Sequence, residues 1–435
     1  MIGYGVATSA YQIEGATTAD GRGPSTWDEF CRRPGVIRDG SDGSTACDSY
    51  ARGAEDLALL VGLGVSAYRF SVAWPRIQPT GSGPACEAGL AHYDELVDRL
   101  LDKAIRPFPT LFHWDLPLDL EQAGGWPARD TAARFAEYAV LVTDRLGDRV
   151  DTWATMNEPW CTAYLGHAAG VFPPGVADPV AAHASAHHLL LGHAWAAQAI
   201  RAQRPSSQVG IVLNMAPVRA DPDADPVAVD GVDALQNRQW LDALVEGSYP
   251  SILGARPAVH DGDLAVIKGS ADWIGVNYYT PIRIGSTYAG ADGVGLDVDA
   301  YPGVPDFAFR PRPPLTTMGW EVDASGLAEV LRSTAARAPG IPLRVTENGG
   351  AFPDLPGTRD EDRIAYLQEH LAAMHTVVAE GVPVLDYFAW SLLDNFEWAQ
   401  GYTQTFGLVA VEDGTLRRVP KASYDWYARF IAAQA

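Results

Sequence analysis

Cysteine is scarce in this chain: four occur in 435 residues, at Cys31, Cys47, Cys86 and Cys161, with no Cys-x-x-Cys spacing. So sparse a set excludes a disulfide-stapled scaffold and a zinc ribbon, and it predicts free thiols as in a reducing compartment. Positive charge is also in short supply, with 32 Lys and Arg against 54 Asp and Glu and a net charge of −22. A surface of that sign repels phosphate backbones and anionic lipid, so nucleic acid and membrane are poor partners and a neutral small molecule is expected. No apolar run reaches the length of about 18 residues that a membrane-spanning helix needs. Residues 1–9 hold neither a cationic segment nor the apolar stretch that directs secretion, and no Asn-x-Ser/Thr sequon occurs. Together these absences predict a cytoplasmic protein. No low-complexity linker divides the chain and no internal repeat runs through it, so one domain over 1–435 is expected; nothing in the spacing specifies monomer or homo-oligomer.

Apolar residues, by contrast, are ample at 47%, and 13 Trp exceed what packing alone usually requires. Indole faces suit the C–H surfaces of sugars. Short runs rich in Val, Ile, Tyr, Phe and Trp, near 3–8, 65–70, 106–112, 150–156, 209–214, 273–278, 342–347 and 384–391, read as strands. Amphipathic stretches near 51–62, 90–104, 128–146, 179–203, 233–246, 325–338, 359–380 and 420–433 read as helices. Eight of each predict an α/β fold, a single (β/α)₈ TIM barrel with elaborated loops at its C-terminal face. A doubly wound sheet is the alternative, but no Gly-rich phosphate loop follows the first strand. Two Pro/Gly/Asp-rich stretches, 216–232 and 281–316, read as long loops, the second overhanging the barrel mouth.

Two motifs are dismissed on context. Gly62-x-Gly64-x-x-Ala67 imitates a dinucleotide fingerprint but leads from helix into strand, so Gly64 reads as a helix C-cap. His183 and His187, with His188 and His193 nearby, lack a Glu between the pair and a third ligand, so packing is expected rather than metal. No cofactor and no metal is expected.

In a barrel, strand ends converge on one rim. Glu158 closes the run Thr-Met-Asn-Glu-Pro over 155–159 and Glu347 the run Arg-Val-Thr-Glu-Asn-Gly over 344–349, so two carboxyls are predicted to share that rim. Paired carboxyls suit cleavage of a glycosidic bond. Gln12, Arg69, His113, Trp114, Asn157, Asn277, Tyr279 and Trp390 are placed at other strand ends, with Glu397 and Trp398 in the last loop. A ring of hydrogen-bonding groups with aromatic plates matches a hexose, which presents hydroxyls at its edge and an apolar face.

These motifs resemble those of glycoside hydrolase family 1. The runs over 155–159, 344–349 and 390–398 carry the likeness, joined in order by 7–15, 68–77, 112–117, 275–279 and 318–321. The resemblance spans nearly the whole chain and implies a retaining β-glucosidase with Glu158 as acid/base and Glu347 as nucleophile. It implies Arg69, Asn277 and Tyr279 as their support, and Gln12, His113, Trp114, Asn157, Trp390, Glu397 and Trp398 as sugar-binding groups. Trp320 is the candidate aglycone contact. Terminal β-glucosyl groups of cello-oligosaccharides and of aryl or alkyl glucosides are the implied substrates, with galactoside or fucoside side activity. The family's 6-phosphosugar hydrolases carry Ser, Lys and Tyr in the last loop, where Glu397 would repel a phosphate; plant thioglucosidases carry Gln in place of Glu158. Transglycosylation and sugar binding without reaction are the other readings the same residues allow. Departures from the family pattern are Tyr4 for Trp, Ser49, Ala51 and Gly53 for His, His and Tyr, and Thr405 for Arg. Weaker anchoring of the first strand, altered stability or altered aglycone fit is expected from them.

Overall fold

The computed structural model describes residues 2–286, 297–353 and 360–434. Eight parallel strands close a barrel in sequential order: β1 Gly3–Ala7, β2 Ala67–Ser71, β3 Arg106–Phe112, β4 Thr152–Asn157, β5 Gln208–Asn214, β6 Trp273–Tyr278, β7 Leu343–Asn348 and β8 Val384–Trp390. Helices lie between them, so the predicted (β/α)₈ barrel is the fold and the doubly wound alternative falls. Strand boundaries agree with the sequence reading to within two residues, and the helix Pro179–Gln203 coincides with it. The closed sheet leaves no edge, which is why every strand can be short and almost wholly buried.

Inside the barrel, one cluster draws a residue from seven of the eight strands: Ala7, Ala67, Phe108, Ala154, Val212, Trp273 and Phe388. Small and large alternate, so Phe108 can meet Trp273 at 5.3 Å and Phe388 at 5.1 Å between ring centroids. The interior is therefore a packed plug, and ligand is held above it at the C-terminal ends. Gly210 of β5 is part of that fit, because a Cβ there would stand 2.3 Å from the Trp273 ring and 2.5 Å from its carbonyl oxygen. Gly210→Ala is expected to lower stability by about 1–3 kcal/mol through overpacking. A reduced urea midpoint at unchanged slope checks this; an unchanged midpoint would mean that the plug yields.

The first strand is anchored on both sides, in register with β8 from Gly3↔Asp386 to Ala7↔Trp390 and with β2 from Gly5↔Ala67 to Ala7↔Arg69. Tyr4 is buried, bonds His375 at 2.6 Å and packs edge-on against Phe430 at 5.3 Å, so it meets the need that Trp was expected to fill. Ser49, Ala51 and Gly53 line a side cavity of about 170 Å³ together with Tyr50 and His92. Thr405 donates to the Phe352 carbonyl at 2.9 Å.

The two stretches read as loops are partly regular, which corrects that reading. Val218–Ala220, Ile282–Gly285 and Ala308–Phe309 form a three-stranded sheet, and Pro226–Asp233 is a helix; residues 287–296 of the second stretch lie outside the described residues. Its flanks do reach the mouth, where Thr280, Ile282, Asp297 and Tyr301 line the main cavity. Gly64, at φ +70°, caps the helix Ser49–Leu63 as expected. The histidines of Pro179–Gln203 bond to separate partners: His183 to Tyr164, His187 to Tyr249 and Asp263, His188 to the Trp126 carbonyl and His193 to Thr155. Among the described residues no group of three His, Cys, Asp or Glu is placed to hold a metal, and no helix is long and apolar enough to cross a membrane.

Candidate active site

Both carboxyl-bearing strands depart from regular pairing just before their carboxylate. On β7 the register steps from Val345↔Val276 to Glu347↔Asn277, and on β4 from Ala154↔Gly210 to Asn157↔Val212. Such irregularities re-aim side chains beside functional sites. Glu158 itself sits at φ 43°, a conformation that a non-glycine residue holds only when its surroundings impose it. The strands thus deliver Glu158 and Glu347 to one cavity of about 710 Å³, whose wall also includes His113, Trp114, Asn277 and Tyr279. Trp320, Trp390, Glu397 and Trp398 complete the predicted set on that wall.

The two carboxyls meet different partners. Glu347 accepts from the Arg69 guanidinium (Nη1 to Oε1, 2.5 Å) and from the Tyr279 phenol (Oη to Oε2, 2.5 Å). This carboxyl thus has a cation on one oxygen and a strong neutral donor on the other. Burial, and then the charge of Glu347, keep the Tyr279 phenol protonated and therefore donating. Glu158 meets only neutral donors, Asn277 (Nδ2 to Oε1, 2.7 Å) and the Cys161 thiol (Sγ to Oε2, 3.1 Å). Burial first, and the neighbouring charge of Glu347 second, push its pKa up to about 7. One carboxyl paired with a cation and one held as an acid is the division that glycoside cleavage needs.

Asn277 joins the two strands, since its Oδ1 accepts from Thr346 at 2.7 Å while its amide donates to Glu158 and to Asn157 Oδ1 at 3.0 Å. Asn157 Oδ1 also accepts from Arg69 at 2.7 Å, so its amide nitrogen is the group that donates to His113 Nε2 at 3.1 Å. The His113 ring proton then lies on Nδ1. That atom is buried without a partner, as is Glu397 Oε2, and a sugar hydroxyl would satisfy either. Burial, aided by the Arg69 charge, holds His113 neutral, while burial and the charges of Glu347 and Glu158 raise Glu397 to about 8.

Trp398 packs against Trp27 at 4.7 Å and Trp114 at 4.5 Å, and Trp390 lies 6.0 Å from His113, nearly parallel to it. Trp320 stands 5.5 Å from Tyr279 on the outer wall. Gln12, Arg69 and Asn157 are not among the lining residues. Gln12 donates to Asn395 Oδ1 at 3.0 Å and to the Phe396 carbonyl at 2.9 Å, so it braces the segment that presents Glu397. Cys161, Thr346 and Asn395 were not singled out from sequence as site residues. Cys161 lies three residues after Glu158, within one turn, and that spacing was the available signal.

A closed barrel carrying an arginine-paired carboxyl and an acidic one under aromatic plates defines a glycoside hydrolase. The profile of Glycosyl hydrolase family 1 matches residues 2–435, and the chain belongs to that family. It is 44% identical to a β-glucosidase of Agrobacterium sp., covering 98% of this chain and 93% of that one. Identity is 42% to a bifunctional β-D-glucosidase/β-D-fucosidase of Bifidobacterium breve, over 99% and 97% of the two chains. The β-glucosidase of Thermotoga maritima in complex with deoxynojirimycin superposes with a TM-score of 0.91 at 37% identity, covering 99% of this chain and 97% of that one.

Proposed function

We propose that this chain is a retaining β-glucosidase, with Glu347 as nucleophile and Glu158 as acid/base. The observation that carries the reading is the unequal pairing of the two carboxyls, Arg69 and Tyr279 on Glu347 against neutral donors on Glu158. Glu347 attacks the anomeric carbon while Glu158 gives its proton to the glycosidic oxygen and the aglycone leaves. Once glycosylated, Glu347 carries no charge, so Glu158, having given up its proton, stays ionised more readily and takes a proton from the water that attacks the anomeric carbon and frees Glu347. Gln12, His113, Trp114, Asn157, Trp390, Glu397 and Trp398 bind or brace the terminal sugar, and Trp320 the aglycone. Four carboxyls on the wall, Glu158, Asp297, Glu347 and Glu397, disfavour a phosphorylated sugar.

Cellobiose-like and aryl glucosides are the proposed substrates, which ties the protein to cellulose breakdown, in a single domain over 1–435. The name of the Bifidobacterium relative supports fucoside side activity. Four free cysteines support a cytoplasmic location.

Proton NMR of 4-nitrophenyl β-D-glucoside hydrolysis tests the reading: β-glucose is expected before mutarotation, and α-glucose first would overturn double displacement. The pH profile follows from Glu158. Its raised pKa means that the acid form persists to near neutrality, so kcat/KM is expected to fall as pH rises through about 7. A profile flat from pH 6 to 9 would remove Glu158 from the acid role.

A further inference from the structure

The chain beyond Glu158 turns back on it. The Cys161 amide donates to the Glu158 carbonyl at 2.9 Å, and Cys161–Leu165 is a wide π-helical turn rather than a regular α-helical one. Wide turns of this kind recur at functional sites. The turn brings the Cys161 thiol to 3.1 Å from Glu158 Oε2, while the Asn214 amide points at the sulfur from 3.8 Å. Cys161 and Asn214 both line the cavity. The other thiols have different neighbours: Cys31 the Tyr11 hydroxyl, and Cys47 and Cys86 backbone carbonyls.

Resting on the acid/base reading of Glu158, we propose that Cys161 is a positioning residue that aims the Glu158 proton into the cavity. A carboxyl offers about two acceptor positions per oxygen. Asn277 takes one on Oε1 and the thiol takes one on Oε2, so the acid proton is left the positions that face the substrate. A thiol is a weak donor, and it orients the carboxyl without holding it ionised as firmly as a hydroxyl or cation would. Burial and the adjacent Glu158 keep the thiol protonated, hence a donor. The groups that bear on Glu158 are Glu347, Arg69, Tyr279, Glu397, Asn277 and Cys161 itself.

Two variants test the proposal. Cys161→Val keeps an apolar volume and removes the donor; Cys161→Ser restores a donor. Loss of a bond to the ionised form leaves Glu158 protonated to higher pH, so the basic limb of kcat/KM in Cys161→Val is expected to move up by about half a unit. A misaimed proton also lowers kcat/KM by about tenfold for glucosides with poor leaving groups, and less for 2,4-dinitrophenyl glucoside, whose departure needs little protonation. Cys161→Ser is expected to bring the limb back to the wild-type position or below it. A wild-type limb in Cys161→Val, or an equal loss on both substrates in both variants, would reduce Cys161 to packing and overturn the proposal. Glu158→Gln run in parallel separates the two readings: full activity there sinks the acid/base assignment, whereas its loss together with a wild-type Cys161→Val sinks only the role of Cys161.

Discussion

Glu347→Gln is expected to end glucoside hydrolysis, lowering kcat by about 10⁶-fold, the scale seen when the nucleophile of a covalent mechanism is removed. An amide cannot form the glycosyl ester, yet it nearly keeps the shape of the carboxyl. Its carbonyl can still accept from Arg69, while its NH₂ faces the Tyr279 hydroxyl, which has to turn from donor to acceptor. Arg69 is fully buried, and Glu347 is its only carboxylate partner among the described residues. Removing one partner of a buried pair costs about 3–5 kcal/mol, and the retained carbonyl offsets part of that. The thermal midpoint should therefore fall while the circular dichroism spectrum stays native. Turnover of 4-nitrophenyl β-D-glucoside above a few per cent of wild type would show that another group attacks the anomeric carbon.

The barrel was legible in the sequence because each unit repeats one contrast: a short β-branched or aromatic run and then a long amphipathic stretch. The sheet of Val218–Ala220, Ile282–Gly285 and Ala308–Phe309 was not, since strands of two to four residues hold too few positions to show a period, and Pro and Gly around them read as loop. Strand ends likewise told which residues reach the rim, but not which stand in front. His113 lines the cavity and Asn157 lies behind it. The register steps beside Asn157 and Glu347 are set by pairing across strands distant in sequence, which a local pattern does not reveal. Gln12 shows the same limit. Its type and place suggested a sugar contact, but not that its amide donates to Asn395 and the Phe396 carbonyl.

Glu158→Gln separates the two chemical steps, because its effect should depend on the leaving group. A phenyl or alkyl aglycone departs as a poor anion and needs the proton, so glycosylation should slow by about 10²–10⁴-fold. The 2,4-dinitrophenolate anion needs none, so Glu347 should still be glycosylated quickly with that substrate. The intermediate then waits for water that no base activates, and kcat falls while KM falls with it, since the enzyme accumulates as glycosyl ester. A burst of dinitrophenol equal to the enzyme concentration is the expected signature. Azide, already an anion, requires no base and should restore turnover with a β-configured glucosyl azide as product. Equal slowing of both substrates, with neither burst nor rescue, would mean that the substitution displaced Asn277 or Cys161 from their places and that proton transfer is not what Glu158 supplies.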